Sequence, residues 1–147
     1  GDIMQVVDLN DVETFEIDER LRVAFPVSSA TGTAATAAVW MEIAPGGEVG
    51  EHTDTAEELL YIVRGEVEAS IGDETGTVRA GDLVVVPALA PHSFRNRGGA
   101  DARILGFFGG STNIGTFTRP NGNTGAQVFV VGGPIPIMLP LDEPVEV

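Results

Sequence analysis

The chain has 147 residues, with 22 acidic side chains against 8 basic ones and a formal net charge of -14 at pH 7. That balance excludes the basic footprint that nucleic-acid binding requires. The length suits a single domain spanning 1–147 with a sizeable core, and no run of about 18 apolar residues offers a membrane span.

The absence of cysteine excludes disulfides and thiol catalysis and fits a reducing cytoplasm, where we expect the protein. All eight basic residues are arginine, a usage that suits a halophilic or high-GC source and equally an ordinary acidic cytoplasmic protein. The N-terminal stretch GDIMQVVDLNDVE is acidic and lacks the basic and apolar regions of a secretory signal.

In chain order, residues 6–19 are polar and acidic and read as a lead-in strand or turn. Leu21 to Pro26 and Ala34 to Ile43 read as strands around a Ser/Thr/Ala/Gly connection at 28–33. Pro45-Gly46-Gly47 turns the chain into a stretch holding His52, Asp54, Glu57 and Glu58. His52 and Asp54 are two residues apart and share a face of an extended strand. The apolar run from Glu58 to Val63 predicts a strand buried on both sides, with Glu58 a carboxylate that needs a partner there. Glu57, one residue off that face, is expected in solvent.

Glu66 to Ile71 alternates, predicting a strand with one wet face. Residues 72–76 (GDETG) signal a hairpin turn, followed by a short strand over 77–80 and an apolar one over 83–86. Pro87 and Pro91 bracket a rigid loop that delivers His92, and Arg103 to Phe108 is a further strand. In the tail over 111–147, only Gln127 to Val131 reads as a strand. Pro134, Pro136, Pro140 and Pro144 keep the remainder extended and poor in ladder donors, suited to covering a barrel mouth or embracing a second subunit. Many short strands rich in Gly and Pro, with no helical period of ten residues, predict an all-β sandwich or barrel.

Two histidines with one or two carboxylates form a ligand set for nitrogen- and oxygen-preferring divalent metals. Nothing in the chain resembles a Ser-His-Asp triad or a phosphate loop. Leu60, Ile62 and Phe94 share inward parity with Glu58 or His92 and are expected in the core or against a ligand. Trp40 and Tyr61 are read as packing or as caps on a pocket.

These stretches resemble the two motifs of the cupin superfamily. Gly46, His52, Asp54, Glu58 and Gly65 match motif 1 (46–65), and Gly81, Pro87, His92 and Asn96 match motif 2 (81–96). Asp54 stands where a second histidine is usual, and Leu89 where a glycine is usual, a change expected only to alter a turn. The resemblance implies a jelly-roll barrel holding one divalent transition metal through His52, Glu58, His92 and Asp54. Fe(II) or Mn(II) is the first choice and Ni(II) or Zn(II) the next, since an added carboxylate favours harder ions. It further implies an oxygenase similar to the quercetin dioxygenase-like group, acting on a small organic molecule. A metal-dependent lyase or isomerase and a non-catalytic small-ligand module are the alternatives. The apolar content, the proline-rich tail and the family's pairing of barrels predict a homodimer.

Overall fold

A computed structural model describes residues 2–132 and, as backbone alone, Ile137–Leu139. The strands are β1 (Phe15–Asp18), β2 (Leu21–Ala24), β3 (Ala37–Ile43), β4 (Glu48–Asp54), β5 (Glu58–Arg64), β6 (Glu66–Ile71), β7 (Glu74–Arg79), β8 (Leu83–Val86), β9 (His92–Arg95), β10 (Ala102–Phe108), β11 (Asn113–Asn121), β12 (Ala126–Val131) and β13 (Ile137–Leu139). They form two antiparallel sheets, ordered β1-β2-β3-β10-β5-β8 and β13-β12-β11-β4-β9-β6-β7. The fold is a jelly-roll β-barrel, as the short, Gly- and Pro-punctuated strands predict.

The core lies between the sheets. Val39, Met41 and Ile43 of β3, Leu60 and Ile62 of β5 and Ile104 of β10 meet Val49 of β4 and Phe94 of β9. In β5 only alternate residues are buried, so the expectation of burial on both sides is corrected. Leu59, Tyr61 and Val63 face outward and are about two-fifths exposed. Trp40 is buried, but on the parity opposite to Val39 and Met41, and its indole Nε1 donates to Glu42 Oε2 at 2.9 Å. Neither aromatic caps the interior.

The hairpin joining β6 to β7 turns on Gly72-Asp73, because Ile71 already pairs with Glu74; β7 is therefore longer than the 77–80 strand expected. The larger correction is in the tail. Residues 113–121 form the nine-residue β11, which pairs on one side with β4 and on the other with β12. The sequence Asn-Ile-Gly-Thr-Phe-Thr-Arg-Pro-Asn does not alternate cleanly, so its strand character comes from its neighbours. Strand β13 pairs with β12 at the sheet edge, the place where flanking prolines are tolerated. Pro134, Pro136, Pro140 and Pro144 lie outside the described residues.

The motif positions are structural before they are chemical. Gly65 has φ 78°, and a Cβ there would lie 2.7 Å from the Asp101 carbonyl, so only glycine turns the chain between β5 and β6. Asn96 is fully buried; its Nδ2 donates to the carbonyls of Ile43 and Ala100 at 2.8 Å, and its Oδ1 accepts from Gly98 N–H at 2.9 Å.

Candidate metal centre

His52 and Asp54 both point inward from β4, as their spacing predicts, at 9% and 4% exposure. Val49 is buried on the same strand although its parity is opposite to theirs. An irregularity in the β4–β9 pairing between Val49 and His52 allows this, by slipping the phase by one residue. Across that ladder His52 pairs with His92, which brings the two imidazole centroids to 4.0 Å. Glu58 enters from the opposite sheet at the start of β5 and is 3% exposed, while Glu57 is exposed as expected.

Both imidazoles are oriented alike. His52 Nδ1 donates to Gly50 O and His92 Nδ1 to Ala90 O, each at 2.8 Å, so each ring turns its Nε2 inward, where a metal ion would take the place of any proton there. Asp54 Oδ2 lies 3.5 Å from His52 Nε2 and 3.1 Å from His92 Nε2. Glu58 Oε1 is 3.6 Å from His92 Nε2. Ligand atoms of His52, Asp54 and His92 all fall within 4.8 Å of one another, a group that can hold a metal ion, with Glu58 at its margin.

The donor set fits such an ion on a direct observation. Asp54 Oδ2 and His92 Nε2 are buried without a hydrogen-bond partner among the described residues, although they approach to 3.1 Å. Two inward-facing ligand atoms left unsatisfied by the protein are costly unless something between them satisfies both. Their contact is electrostatic rather than an aligned hydrogen bond.

The electrostatics of the metal-free cluster follow from that contact. His52 falls from 6.5 to about 4, through burial first and the neighbouring His92 next, with the Asp54 carboxylate opposing. Burial also lowers His92, but the Asp54 and Glu58 carboxylates outweigh it and raise the group to about 10. Asp54 is pushed up by burial, yet His92, His52 and the Asn113 amide hold it below the ordinary carboxylate range. Glu58 rises to about 7, through burial first, with His92 opposing and the Asp54 charge adding. Two carboxylates with opposite shifts share one site.

Sequence reasoning missed what β11 contributes. Asn113, 3% exposed, donates from Nδ2 to Asp54 Oδ1 at 2.9 Å, and Phe117 stacks on His52 with ring centroids 4.3 Å apart. A polar residue five positions after the end of β10 carries no motif, so only the β4–β11 pairing reveals it. Leu89, at the usual glycine position, adopts φ 64° and donates its N–H to the Asp54 carbonyl at 2.8 Å. The turn is thus kept with a leucine in the left-handed region.

Beside the cluster is a cavity of about 60 Å³, walled by residues including Met41, Phe94, Phe108, Phe117 and Phe129. Its polar lining among the described residues is His52, Asp54, Glu58, Asn113 and Asn121, with no arginine. Phe94 therefore lines the pocket, as its parity allowed, while Leu60 and Ile62 serve the core.

Residues 39–108 match the cupin domain family (Cupin_2). Fold and domain match together define the class: residues 39–108 form a cupin domain on a jelly-roll barrel. The chain is 36% identical over 62 residues to "Polyketide synthase CurC" of Streptomyces cyaneus, a match covering 42% of this chain and 40% of that protein. It is 31% identical over 64 residues to "Protein SchB" of Streptomyces halstedii, covering 43% and 46%. Both matches thus span less than half of the relative's own length. Among solved structures, the Lactobacillus farciminis oxalate decarboxylase formate complex superposes with TM-score 0.69 at 25% identity, over 75% of this chain and 34% of that one. The polyketide cyclase RemF of Streptomyces resistomycificus superposes with TM-score 0.63 at 20% identity, over 72% and 79%, a likeness of fold.

Proposed function

We propose that this cupin is a metal-dependent enzyme performing acid–base chemistry of the lyase, isomerase or cyclase kind on an uncharged, largely apolar organic molecule. The observation that carries the reading is the pocket wall, which among the described residues is apolar and aromatic, holds two carboxylates and has no arginine. A divalent ion compensated by Asp54 alone leaves one positive charge, so the second carboxylate of a dianion such as oxalate would find no arginine among the described lining residues and would face Glu58, which disfavours it. A cavity of about 60 Å³ has room for a single ring or a chain end, given roughly 10–15 Å³ per enclosed water. The likeness to a polyketide synthase protein and to a polyketide cyclase supports a ketone or phenol of polyketide type.

His52, Asp54 and His92 would hold one divalent ion, Fe(II) or Mn(II) first and Ni(II) or Zn(II) next. When bound, that ion supplies Lewis-acid polarisation of a substrate oxygen. Glu58, on the facing sheet and within the same pocket, moves a proton to or from the carbon next to that oxygen. The phenylalanines exclude water and orient the ring. Metal-loaded protein should turn over neutral β-dicarbonyl or phenolic ketones under anaerobic conditions. Glu58→Gln should keep about one metal per chain while losing turnover. Loss of the metal in that variant would return Glu58 to the ligand set, and turnover of oxalate with indifference to neutral ketones would sink the proposal.

A second reading, an oxygenase of the quercetin dioxygenase-like kind, draws on the two-histidine, one-carboxylate set. Strict dependence of turnover on O2 would select it. A co-purified organic ligand with no turnover would select the non-catalytic binding module. Pairing into a homodimer belongs to the same proposal. The outer face aligns Phe107, Leu59 and Val85 across three strands and ends on the edge strand β8, an apolar edge open to a two-fold partner. Light scattering at micromolar concentration should give twice the 15.4 kDa chain mass.

A further inference from the structure

We infer that Asn113 is the positioning residue that makes Asp54 a one-oxygen ligand, so that a carboxylate can occupy the place an imidazole holds in the cupin motif. The inference rests on the reading that Asp54 ligates a metal. The two oxygens of Asp54 have separate surroundings. Oδ1 accepts from Asn113 Nδ2 at 2.9 Å and lies over Gly115, where a Cβ would come within 3.1 Å of it. Oδ2 faces His52 Nε2 and His92 Nε2 and has no hydrogen-bond partner among the described residues. One oxygen is tied back to β11 and the other is free to coordinate.

The orientation of the Asn113 amide is settled by its far end. Its Oδ1 accepts from the Ala56 N–H at 3.1 Å and from Thr55 Oγ1 at 3.4 Å. A backbone N–H can only donate, so the amide nitrogen must be the group that faces Asp54. The chain just after Asp54 thereby fixes the amide, and the amide fixes the carboxylate. Thr55 Oγ1 also accepts from Ile114 N–H at 3.0 Å, which stitches the same segment to β11 a second time. An imidazole reaches a metal through one atom by construction, whereas an untethered carboxylate can chelate with two. The clamp removes that option and keeps a coordination position available for substrate.

The test uses Mn(II) and Co(II) as probes on the full chain in two backgrounds, the parent and Asp54→His. In the parent, Asn113→Ala should weaken Mn(II) binding about 10- to 100-fold, the range expected when a ligand loses its orienting partner. In Asp54→His, where no second oxygen needs restraint, the same change should cost less than about 2-fold. An equal loss in both backgrounds, or none in the parent, overturns the inference. Should Asp54→His fail to fold or bind, the Co(II) visible spectrum of Asn113→Ala in the parent decides. Weaker, blue-shifted bands of a higher coordination number are expected, and a spectrum identical to the parent overturns the inference. A parent that binds neither ion fails the proposed metal function itself, which is a different result from a parent that binds both and ignores Asn113.

Discussion

Gly106 shows how closely a residue without a side chain can be tied to this site. It pairs with Leu60 on β5, and a Cβ there would lie 2.6 Å from Glu58 Oε2, 2.8 Å from Val39 Cγ1 and 3.0 Å from Leu60 Cδ2. Gly106→Ala should therefore destabilise by about 1–3 kcal/mol through overpacking and displace the Glu58 carboxylate. Chemical denaturation checks the first effect and turnover the second; unchanged values for both would mean that β10 shifts freely. Leu89 has the opposite character, since it is exposed and sits at φ 64°. Leu89→Gly relieves left-handed strain but gives the unfolded chain more freedom, so the net gain should stay below about 1 kcal/mol. A denaturation midpoint shifted downward would mean that the added freedom of the unfolded chain, or a lost leucine contact, outweighs the strain relieved.

At the scale of elements, the loop after β9 separates structure from chemistry. Asn96 belongs to the second motif but satisfies the Ile43 and Ala100 carbonyls and the Gly98 N–H rather than the metal cluster. Asn96→Ala leaves those groups buried and unpaired, costing about 1–3 kcal/mol, while the Kd for Mn(II) should not change. A weakened Kd in a fully folded variant would tie this loop to the site. The motif strands were legible because their information is local. Spacing alone put His52 and Asp54 on one face, and the glycines that demand positive φ marked the turns. Strand β11 was not legible, since Asn113 and Phe117 acquire their roles from pairing with β4 some sixty residues earlier. The outward face of β5 was misread for a related reason. An unbroken apolar run looks the same whether its second face meets another layer or, as with Leu59 and Tyr61, remains open.

For the whole molecule, the buried cluster sets how stability depends on pH when no metal is bound. His92 is raised from 6.5 to about 10, so its contribution is fully present below pH 6.5 and is lost as pH rises through about 10. Glu58, raised from 4.5 to about 7, acts in the same direction, with its contribution lost as pH climbs towards 7. His52, lowered from 6.5 to about 4, acts oppositely, and its contribution disappears as pH falls from 6.5. Asp54, also lowered, follows His52 at still lower pH. Between about 4.5 and 6.5 the two groups oppose one another, but above 6.5 only losses remain. Ordinary surface carboxylates are already ionised there, so the repulsion of an acidic surface adds no further slope. Calorimetry of chelator-treated protein should thus show Tm falling between pH 6.5 and 9.5, by about 2–4 °C for each kcal/mol lost. Glu58→Gln should flatten the lower part of that curve. A divalent ion held by His52, Asp54 and His92 displaces the His92 proton and its charge favours ionised Glu58, so metal-loaded protein should lose the downward slope and bind more tightly as pH rises. A Tm that climbs over this window in the chelated protein would mean that His92 is neutral in the metal-free cluster.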